Sequence, residues 1–257
     1  MPSSPRVLSI LGVPCHAVTM EEAVQYVDDL IASGARRQVV LALNPPKFFM
    51  LEREEALRGL FHKAALIVPD GIGVVLAHLV QAGERIRRVA GADLMQELCR
   101  LAATRGYSVF FYGASEDVSR EAASILASRL PGLKIAGRSH GFVASQDMPA
   151  LVQRINAAQP DILFVALGSP RQERFMNEHL RALDVRVVQG VGGTLDTIAG
   201  RVVRAPVLVR KAGLEWLFRL LLQPTRFDRY TILPRFGARI LKRKLDTATR
   251  RRTPPGP

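Results

Sequence analysis

Each of four predicted strands is followed by polar residues whose side chains could take part in chemistry. These residues are Asn44, Asp70, Gln172 within the turn Arg171-Gln172-Glu173, and Asp196 at the end of a glycine-rich loop. In an open α/β sheet, ligands bind outside the carboxyl ends of the strands, so we expect the four positions to converge on one edge. Each residue also has an ordinary interpretation as a helix cap or a first-turn residue. One polar strand end usually forms only a turn, whereas four of them indicate a binding site.

Asp70 is the candidate general base. The apolar run 65–68 predicts a short buried strand, and Pro69 ends it because proline cannot donate to a strand ladder. Gly71 and Gly73 then allow a tight turn into a helical run. A carboxylate held on such a turn could accept a proton from a substrate hydroxyl. The alternative is that Asp70 only caps the following helix, and from this stretch alone capping is the simpler interpretation.

The loop from Gly190 to Asp196 is rich in glycine, which lets backbone N–H groups approach a phosphate at the start of a helix. Its sequence is not the GxGxxG pattern, and no strand with a ribose-binding acid follows it, which disfavours a nicotinamide enzyme. The sequence also lacks a Walker lysine motif, a GxSxG nucleophile elbow and an Asp-x-Asp pair, and its five histidines show no metal-ligand spacing. We therefore expect neither a cofactor nor a bound metal.

The remaining combination is a carboxylate, several polar strand ends and many arginines. It suits a reaction in which an acceptor hydroxyl displaces a diphosphate leaving group. The carboxylate would activate the hydroxyl as a general base. Fixed cations would stabilise the charge that grows on the leaving diphosphate, and the planar fork of arginine binds phosphate through two hydrogen bonds.

The order of the segments predicts an α/β fold. Strand-like runs alternate with helical runs over the first 200 residues, which is typical of a Rossmann-like parallel sheet with helices on both faces. We predict a catalytic core at 1–200, a helical, membrane-associating appendage at 201–249 and a disordered tail at 250–257. Cys15 and Cys99 lie in apolar segments without metal-ligand spacing, as expected for core thiols in a reducing compartment.

Most of the net charge of +13 lies at the C-terminal end of the chain. From Arg201 onward there are 15 Lys and Arg against 3 Asp and Glu, so this segment alone carries +12. Such a segment should meet an anionic partner, and nucleic acid and the cytoplasmic membrane surface are the two candidates. We predict no transmembrane helix and no secretion signal, and therefore a cytosolic, non-spanning protein.

Two helices are predicted in this basic segment. The first runs from Ala205 to Leu222, and the second follows Pro234. The second places four apolar residues on one face and basic residues on the rest; the apolar four are Phe236, Ile240, Leu241 and Leu245. This pattern is typical of a basic amphipathic helix that lies on an anionic membrane surface. A charged helix that is docked on the core explains the spacing equally well.

Several short runs, taken in order along residues 7–230, resemble the WecG/TagA/CpsF glycosyltransferases (glycosyltransferase family 26). The runs are Asn44-Pro-Pro-Lys47, Pro69-Asp-Gly-Ile-Gly73, Arg88-Val-Ala-Gly-Ala-Asp93, Phe110-Phe-Tyr-Gly113, Gly168-Ser-Pro-Arg-Gln-Glu173, Gly190-Val-Gly-Gly193 with Asp196, Arg204-Ala-Pro206, and Gly213-Leu-Glu-Trp-Leu-Phe-Arg219 with Pro224, Arg226, Arg229 and Tyr230. Each run is weakly specific alone, whereas the ordered set is specific.

The resemblance implies inverting, metal-independent transfer of a sugar from a UDP-sugar to a saccharide on a polyprenyl diphosphate, in the synthesis of a bacterial surface polysaccharide (exopolysaccharide, teichoic acid or antigen). Asp70 would be the base. The other site residues implied for the donor pocket and its diphosphate are Asn44, Arg88, Gln172, Gly113, Gly190, Gly192, Gly193 and Asp196, with Arg219, Arg226 and Arg229 from the appendage. The basic segment would bind the cytoplasmic face of the inner or plasma membrane peripherally, with no nucleic-acid partner. A homo-oligomer is compatible with this arrangement.

Two positions depart from the family pattern. Arg171 stands where lysine is common, and Ala42 stands where teichoic-acid members carry a threonine. The change at Ala42 leaves the donor open between an aminosugar and a glucose-type sugar. Two other functions remain as alternatives. One is a non-catalytic module that binds membrane or nucleic acid through its basic segment, and the other is a Rossmann-type enzyme with a different nucleotide cofactor.

Overall fold

The computed structural model describes residues 5–206, 208–209, 215–222 and 232–252, except for the side chains at 216, 219, 221–222 and 247–252. Its strands are β1 (Val7–Ile10), β2 (Val13–His16), β3 (Gln38–Leu43), β4 (Leu66–Pro69), β5 (Ser108–Gly113), β6 (Lys134–Ser139), β7 (Ile162–Ala166) and β8 (Val187–Gly190). Its α-helices are α1 (Met20–Ala32), α2 (Pro45–Arg53), α3 (Arg58–Lys63), α4 (Ile72–Ala82), α5 (Gly91–Arg105), α6 (Glu116–Arg129), α7 (Met148–Ala157), α8 (Arg171–His179), α9 (Thr194–Ile198), α10 (Glu215–Leu222) and α11 (Ile232–Arg252).

Six of these strands form one parallel sheet in the order β4-β3-β8-β7-β5-β6. Strands β1 and β2 form a separate antiparallel hairpin. After β4 the chain crosses to the other half of the sheet to form β5, and it returns with β7 and β8. The last strand, β8, therefore lies between β3 and β7, and the loops that follow all three strands lie side by side. The predicted Rossmann-like α/β fold is confirmed.

Both faces of the sheet are buried, which explains why its inner strands are apolar without alternation. In β3, Leu41 and Leu43 pack into one core cluster with α2, α3, α4 and α8. Val40 and Ala42 point to the opposite face and pack with α1, α5, α6 and α9. A strand between two helical layers has no face for water, so every side chain from Val39 to Leu43 is buried.

Local sequence signals start and stop the helices. Thr19 caps α1 in a capping box: its side chain accepts from the Glu22 N–H at 3.2 Å, and the Glu22 carboxylate accepts from the Thr19 N–H at 2.8 Å. Ser115 caps α6 with one hydrogen bond, which its side chain accepts from the N–H of Val118. The sequence predicts both caps, since Thr19 and Glu22 have the spacing of a capping box and serine is favoured at N-cap positions. The sequence also predicts a helix that follows the turn at 168–173 and runs to Leu183; the observed helix, α8, ends earlier, at His179.

The two cysteines are buried and form no disulfide. Burial raises the pKa of the Cys15 thiol and that of the Cys99 thiol to about 12, because the thiolate would lose its hydration. Both thiols therefore stay protonated at neutral pH and pack as small apolar side chains, as predicted.

Helix α11 is docked on the core by the first part of its apolar face. Phe236 and Ile240 are buried, and the Phe236 ring lies 5.0 Å from the ring of Phe48 on α2. Leu241 and Leu245 are 57% and 68% exposed. The face that the sequence presents as one stripe is thus divided: its first half packs on the core and its second half faces solvent. The helix also begins at Ile232, before Pro234, since proline is tolerated in a first turn.

The predicted helix from Ala205 to Leu222 is only partly within the described residues. Ala205 and Pro206 are not helical, and α10 begins at Glu215. Helix α11 extends to Arg252, so its last residues overlap the tail that we predict to be disordered from residue 250. The division into core, appendage and tail stays a prediction.

Candidate active site

A cavity of about 610 Å³ lies at the carboxyl edge of the parallel sheet. Residues from the loops after all six strands line it. They include Asn44, Asp70, Ser115, Phe142, Arg171, Gln172, Gly190, Gly192, Gly193 and Asp196. The four polar strand ends singled out in the sequence therefore lie around one space, as the parallel topology requires.

Asp70 is held at the cavity by backbone bonds on both sides. Its N–H donates to the Leu43 carbonyl at 2.8 Å, and the preceding Pro69 carbonyl accepts from the Val89 N–H at 3.0 Å. The next residue, Gly71, has φ +95°, a conformation that L-residues with a side chain rarely adopt. Gly71 is also the N-cap residue of α4, the position that Asp70 would occupy as a helix cap. The N-cap position of α4 is thus occupied by Gly71, and the role of Asp70 as a base stays a prediction.

Gly73 explains why this turn needs a second glycine. A Cβ at Gly73 would lie 2.8 Å from Cγ of Pro45, which is part of a rigid ring at the start of α2. The ends of β3 and β4 lie next to each other because the two strands pair, with Leu43 opposite Pro69, and Asn44 and Asp70 follow them directly. The motif thus serves packing and site geometry at the same time.

Asn44 occupies the N-cap position of α2 with extended backbone, and its side chain makes no capping hydrogen bond. Prolines at the start of α2 lack the N–H groups that a cap would satisfy. The Asn44 side chain lines the cavity instead. Because the Asn44 side chain does not cap α2, it can bind substrate.

Gln172 is buried and joins two parts of the site. Its Oε1 accepts from the Gly192 N–H at 2.8 Å, and its Nε2 donates to Oε1 of Glu173 at 3.0 Å. A Cβ at Gly190 would lie 2.7 Å from Nε2 of Gln172, so glycine is needed there for close approach. The glycine-rich loop is therefore fixed to α8 through Gln172. The Gly192 N–H is used in this contact, and binding of phosphate by the rest of the loop stays a prediction.

Lys47, which lines the cavity, forms a buried ion pair with Glu173, which does not line it; neither residue was given a role from the sequence. Lys47 Nζ lies 2.8 Å from Oε1 of Glu173, and the two side chains are 4% and 0% exposed. The Lys47 ammonium also lies 5.7 Å from the centroid of the Phe61 ring. The sequence contains an indication of this pair, because each charged residue lies on the apolar face of its helix. Lys47 is one turn before Leu51, and Glu173 is one turn before Met176.

Asp196, Arg171 and Phe142 also line the cavity. The Asp196 carbonyl accepts from the N–H of Arg201 at 2.9 Å, which turns the chain after α9. Nη2 of Arg171 donates to the Gly141 carbonyl at 2.9 Å, and its guanidinium carbon lies 5.9 Å from the centroid of the exposed Phe142 ring. A cation and a carboxylate, from the loops after the neighbouring strands β7 and β8, thus line the same cavity.

Two predicted site residues within the described part of the chain, Arg88 and Gly113, do not line the cavity. Arg88 lies 3.9 Å from Glu215 of α10, and both side chains are largely buried. Gly113 has φ +137°, and a Cβ there would collide with the backbone of Ala166, so this glycine is explained by packing. The side chain of Arg219, and Arg226 and Arg229 entirely, lie outside the described residues. Their roles stay predictions.

None of the helices among the described residues is both long and apolar enough to cross a membrane. In the same part of the chain, no three His, Cys, Asp or Glu side chains come together in a way that could hold a metal ion.

The sheet and its cavity define the class of protein: an α/β enzyme of Rossmann-like type with its candidate site at the carboxyl edge of the strands. The sequence model of the WecG/TagA/CpsF glycosyl transferases matches residues 8–250. The chain therefore belongs to that family, and it is a glycosyltransferase. This excludes a non-catalytic module as the whole function.

Similar proteins carry the same name in several bacteria. An N-acetylglucosaminyldiphosphoundecaprenol N-acetyl-β-D-mannosaminyltransferase of Bacillus subtilis strain 168 is 34% identical over 224 residues, which cover 87% of this chain and 85% of that protein. A protein of the same name from Staphylococcus aureus strain MRSA252 is 32% identical over 238 residues, 92% of this chain and 93% of its own length. The similarity to these proteins extends over nearly the full length of the chain and so includes both the core and most of the basic segment.

Proposed function

We propose that this enzyme transfers a sugar from a UDP-sugar to a saccharide carried on a polyprenyl diphosphate. The observation that carries the proposal is the position of Asp70, fixed by backbone bonds at a cavity that Asn44 and Gln172 also line. The names of the relatives support the acceptor class, since they state transfer to an N-acetylglucosaminyl diphosphate on undecaprenol.

The proposed mechanism is a single displacement at the anomeric carbon of the donor. Asp70 accepts the proton of the acceptor hydroxyl while that oxygen forms the new glycosidic bond. The bond from the anomeric carbon to the UDP oxygen breaks on the opposite side, so the configuration inverts and UDP leaves with the electron pair. Cations at the opening, of which Arg171 is one, stabilise the negative charge on UDP.

The donor sugar remains open between an aminosugar and a glucose-type sugar. Ala42 lines the cavity, and its Cβ lies 2.8 Å from the position that a Cβ on Gly91 would take. Because these two positions are so close, position 42 needs a small side chain and position 91 needs a glycine. A threonine, as in teichoic-acid members, would fill part of the cavity next to the donor.

A screen of donors tests the proposal. Purified protein would be incubated with UDP-glucose, UDP-N-acetylglucosamine or UDP-N-acetylmannosamine, each with a short-chain prenyl diphosphate analogue that carries N-acetylglucosamine. UDP release and the mass of the acceptor would both be measured. We expect one donor to give UDP release that depends on the acceptor. If no donor binds to the protein and none gives UDP release, the proposed function is contradicted.

Metal independence is a further part of the proposal, because the sequence has no Asp-x-Asp pair to hold a metal-bridged diphosphate. We expect the transfer rate in excess EDTA to equal that of untreated enzyme. A rate that falls in EDTA and returns on addition of Mg²⁺ or Mn²⁺ would show that a divalent ion takes part.

We also propose that the enzyme works as a peripheral protein on the cytoplasmic face of the membrane. Leu241 and Leu245 are exposed on α11 next to Lys242 and Lys244, also exposed, which is the combination that an anionic bilayer surface attracts.

A further inference from the structure

The buried ion pair between Lys47 and Glu173 has an unusual arrangement of partners. Oε1 of Glu173 faces both Lys47 Nζ, at 2.8 Å, and Gln172 Nε2, at 3.0 Å. Oε2 of Glu173 is buried as well, and it has no hydrogen-bond partner among the described residues. One oxygen of the carboxylate thus serves two donors while the other serves none.

Stability alone does not account for this arrangement. Removing two charges from water is costly, and replacing a buried pair by apolar side chains of similar volume is often neutral or stabilising. A buried carboxylate oxygen without a partner adds to the cost, and such groups in native proteins call for an explanation. The pair therefore needs a role other than holding α2 against α8.

Its place relative to the cavity indicates that role. Lys47 and Gln172 line the cavity, whereas Glu173 does not and lies behind them. Lys47 is in the first turn of α2, which follows β3, and Gln172 is in the first turn of α8, which follows β7. A single carboxylate fixes one side chain from each of these two strand ends.

We propose that Glu173 is a positioning residue of the transfer reaction, which holds the Lys47 ammonium and the Gln172 amide toward the diphosphate of the nucleotide-sugar donor. This inference rests on the proposed function. Lys47 and Arg171 are the cations among the described lining residues, and Lys47 is the one that is fixed in a buried ion pair. A cation that is already oriented costs no reorganisation when charge grows on the leaving group.

The contact to Gln172 extends the same effect to the glycine-rich loop. Because Nε2 of Gln172 donates to Glu173, its Oε1 must face the Gly192 N–H, to which it is bonded at 2.8 Å. Loss of the Glu173 charge would free the amide to turn over and would release the loop. Glu173 would thus act on the donor indirectly, through the side chains of Lys47 and Gln172.

The test separates positioning from stability with three variants. Glu173→Gln keeps the shape and removes the charge; we expect it to lower the melting temperature and to raise KM for the UDP-sugar roughly 10- to 100-fold, the loss typical of a hydrogen bond to a charged group. The double variant Lys47→Met/Glu173→Leu replaces the pair by apolar side chains of similar volume. We expect it to recover the melting temperature and to keep the raised KM.

Asp28→Asn is the matched control. The Asp28 side chain is 6% exposed and accepts from Arg105 and from the Tyr107 hydroxyl, and it does not line the cavity. This variant should lower the melting temperature and leave KM and kcat unchanged. Affinity for UDP, measured by titration calorimetry, should fall in both Glu173 variants and stay constant in the control.

The inference and the proposed function fail in different ways. If the double variant recovers KM and UDP affinity together with its melting temperature, the ion pair is only structural and the inference is wrong. If the wild-type protein neither binds UDP nor transfers a sugar, both proposals are wrong.

Discussion

Replacing Asp70 by asparagine should lower kcat by about 10²- to 10⁴-fold, the usual contribution of a general base. Asparagine keeps the size and polarity of the side chain, and the backbone bonds of Pro69 and Asp70 that hold the turn are available to both residues. The fold and the affinity for UDP should therefore stay close to those of the wild-type protein. The measurement is the transfer rate at saturating donor and acceptor, together with a calorimetric titration with UDP.

Asp117→Asn is a suitable control for this variant. Asp117 is an exposed carboxylate in the first turn of α6 that pairs with Arg120 at 2.6 Å, and it does not line the cavity. Its replacement should leave kcat unchanged. A kcat for Asp70→Asn that also matches the wild-type value would remove Asp70 from the chemistry and leave it a role in the turn alone.

Neutralising three basic residues of α11 should weaken binding to anionic vesicles about 150-fold. Arg235, Lys242 and Lys244 are exposed, and each basic residue near an anionic bilayer contributes about 1 kcal/mol, so the three together supply about 3 kcal/mol. Changing all three to glutamine leaves Phe236 and Ile240 in place, so the helix should stay docked. The measurement is co-sedimentation with phosphatidylglycerol vesicles at low and at high salt, because salt screens this attraction.

The control for this triple variant removes the same charge from the core. Arg129, Lys134 and Arg181 are exposed and lie far from α11 in sequence, and their replacement by glutamine should change vesicle binding much less. Equal losses in the two variants would show that net charge, and not this helix, governs binding. Substitution is a better test than deletion of the basic segment, because deletion would uncover the Phe48 side chain that Phe236 covers.

The sequence predicts the sheet and the convergence of the site because both follow from local patterns. Apolar runs between Gly, Pro and Asx turns predict the strands, and parallel strands carry their carboxyl ends to one edge. Asn44, Asp70, Gln172 and Asp196 could therefore be placed together without knowledge of the strand order. The helix cap at Thr19 depends on two residues three positions apart, and it could be predicted for the same reason.

Contacts between distant segments could not be predicted in this way. The Lys47–Glu173 ion pair joins the helices that follow β3 and β7, two strands that are far apart in sequence and lie on either side of β8 in the sheet. Gly113 resembles a binding glycine in the sequence, but its conformation is required by the adjacent backbone of Ala166. The division of the α11 apolar face likewise depends on the position of Phe48, which no spacing within α11 reveals.

The measurement that tests the central claim most directly is UDP release against acceptor concentration, with the mass of the acceptor followed in the same reaction. The account predicts that UDP appears only when both substrates are present, that each UDP corresponds to one added sugar, and that both signals fall together in Asp70→Asn. UDP release at the same rate without acceptor, or no gain of acceptor mass, would contradict the assignment of this cavity to transfer between a nucleotide-sugar donor and a lipid-linked acceptor.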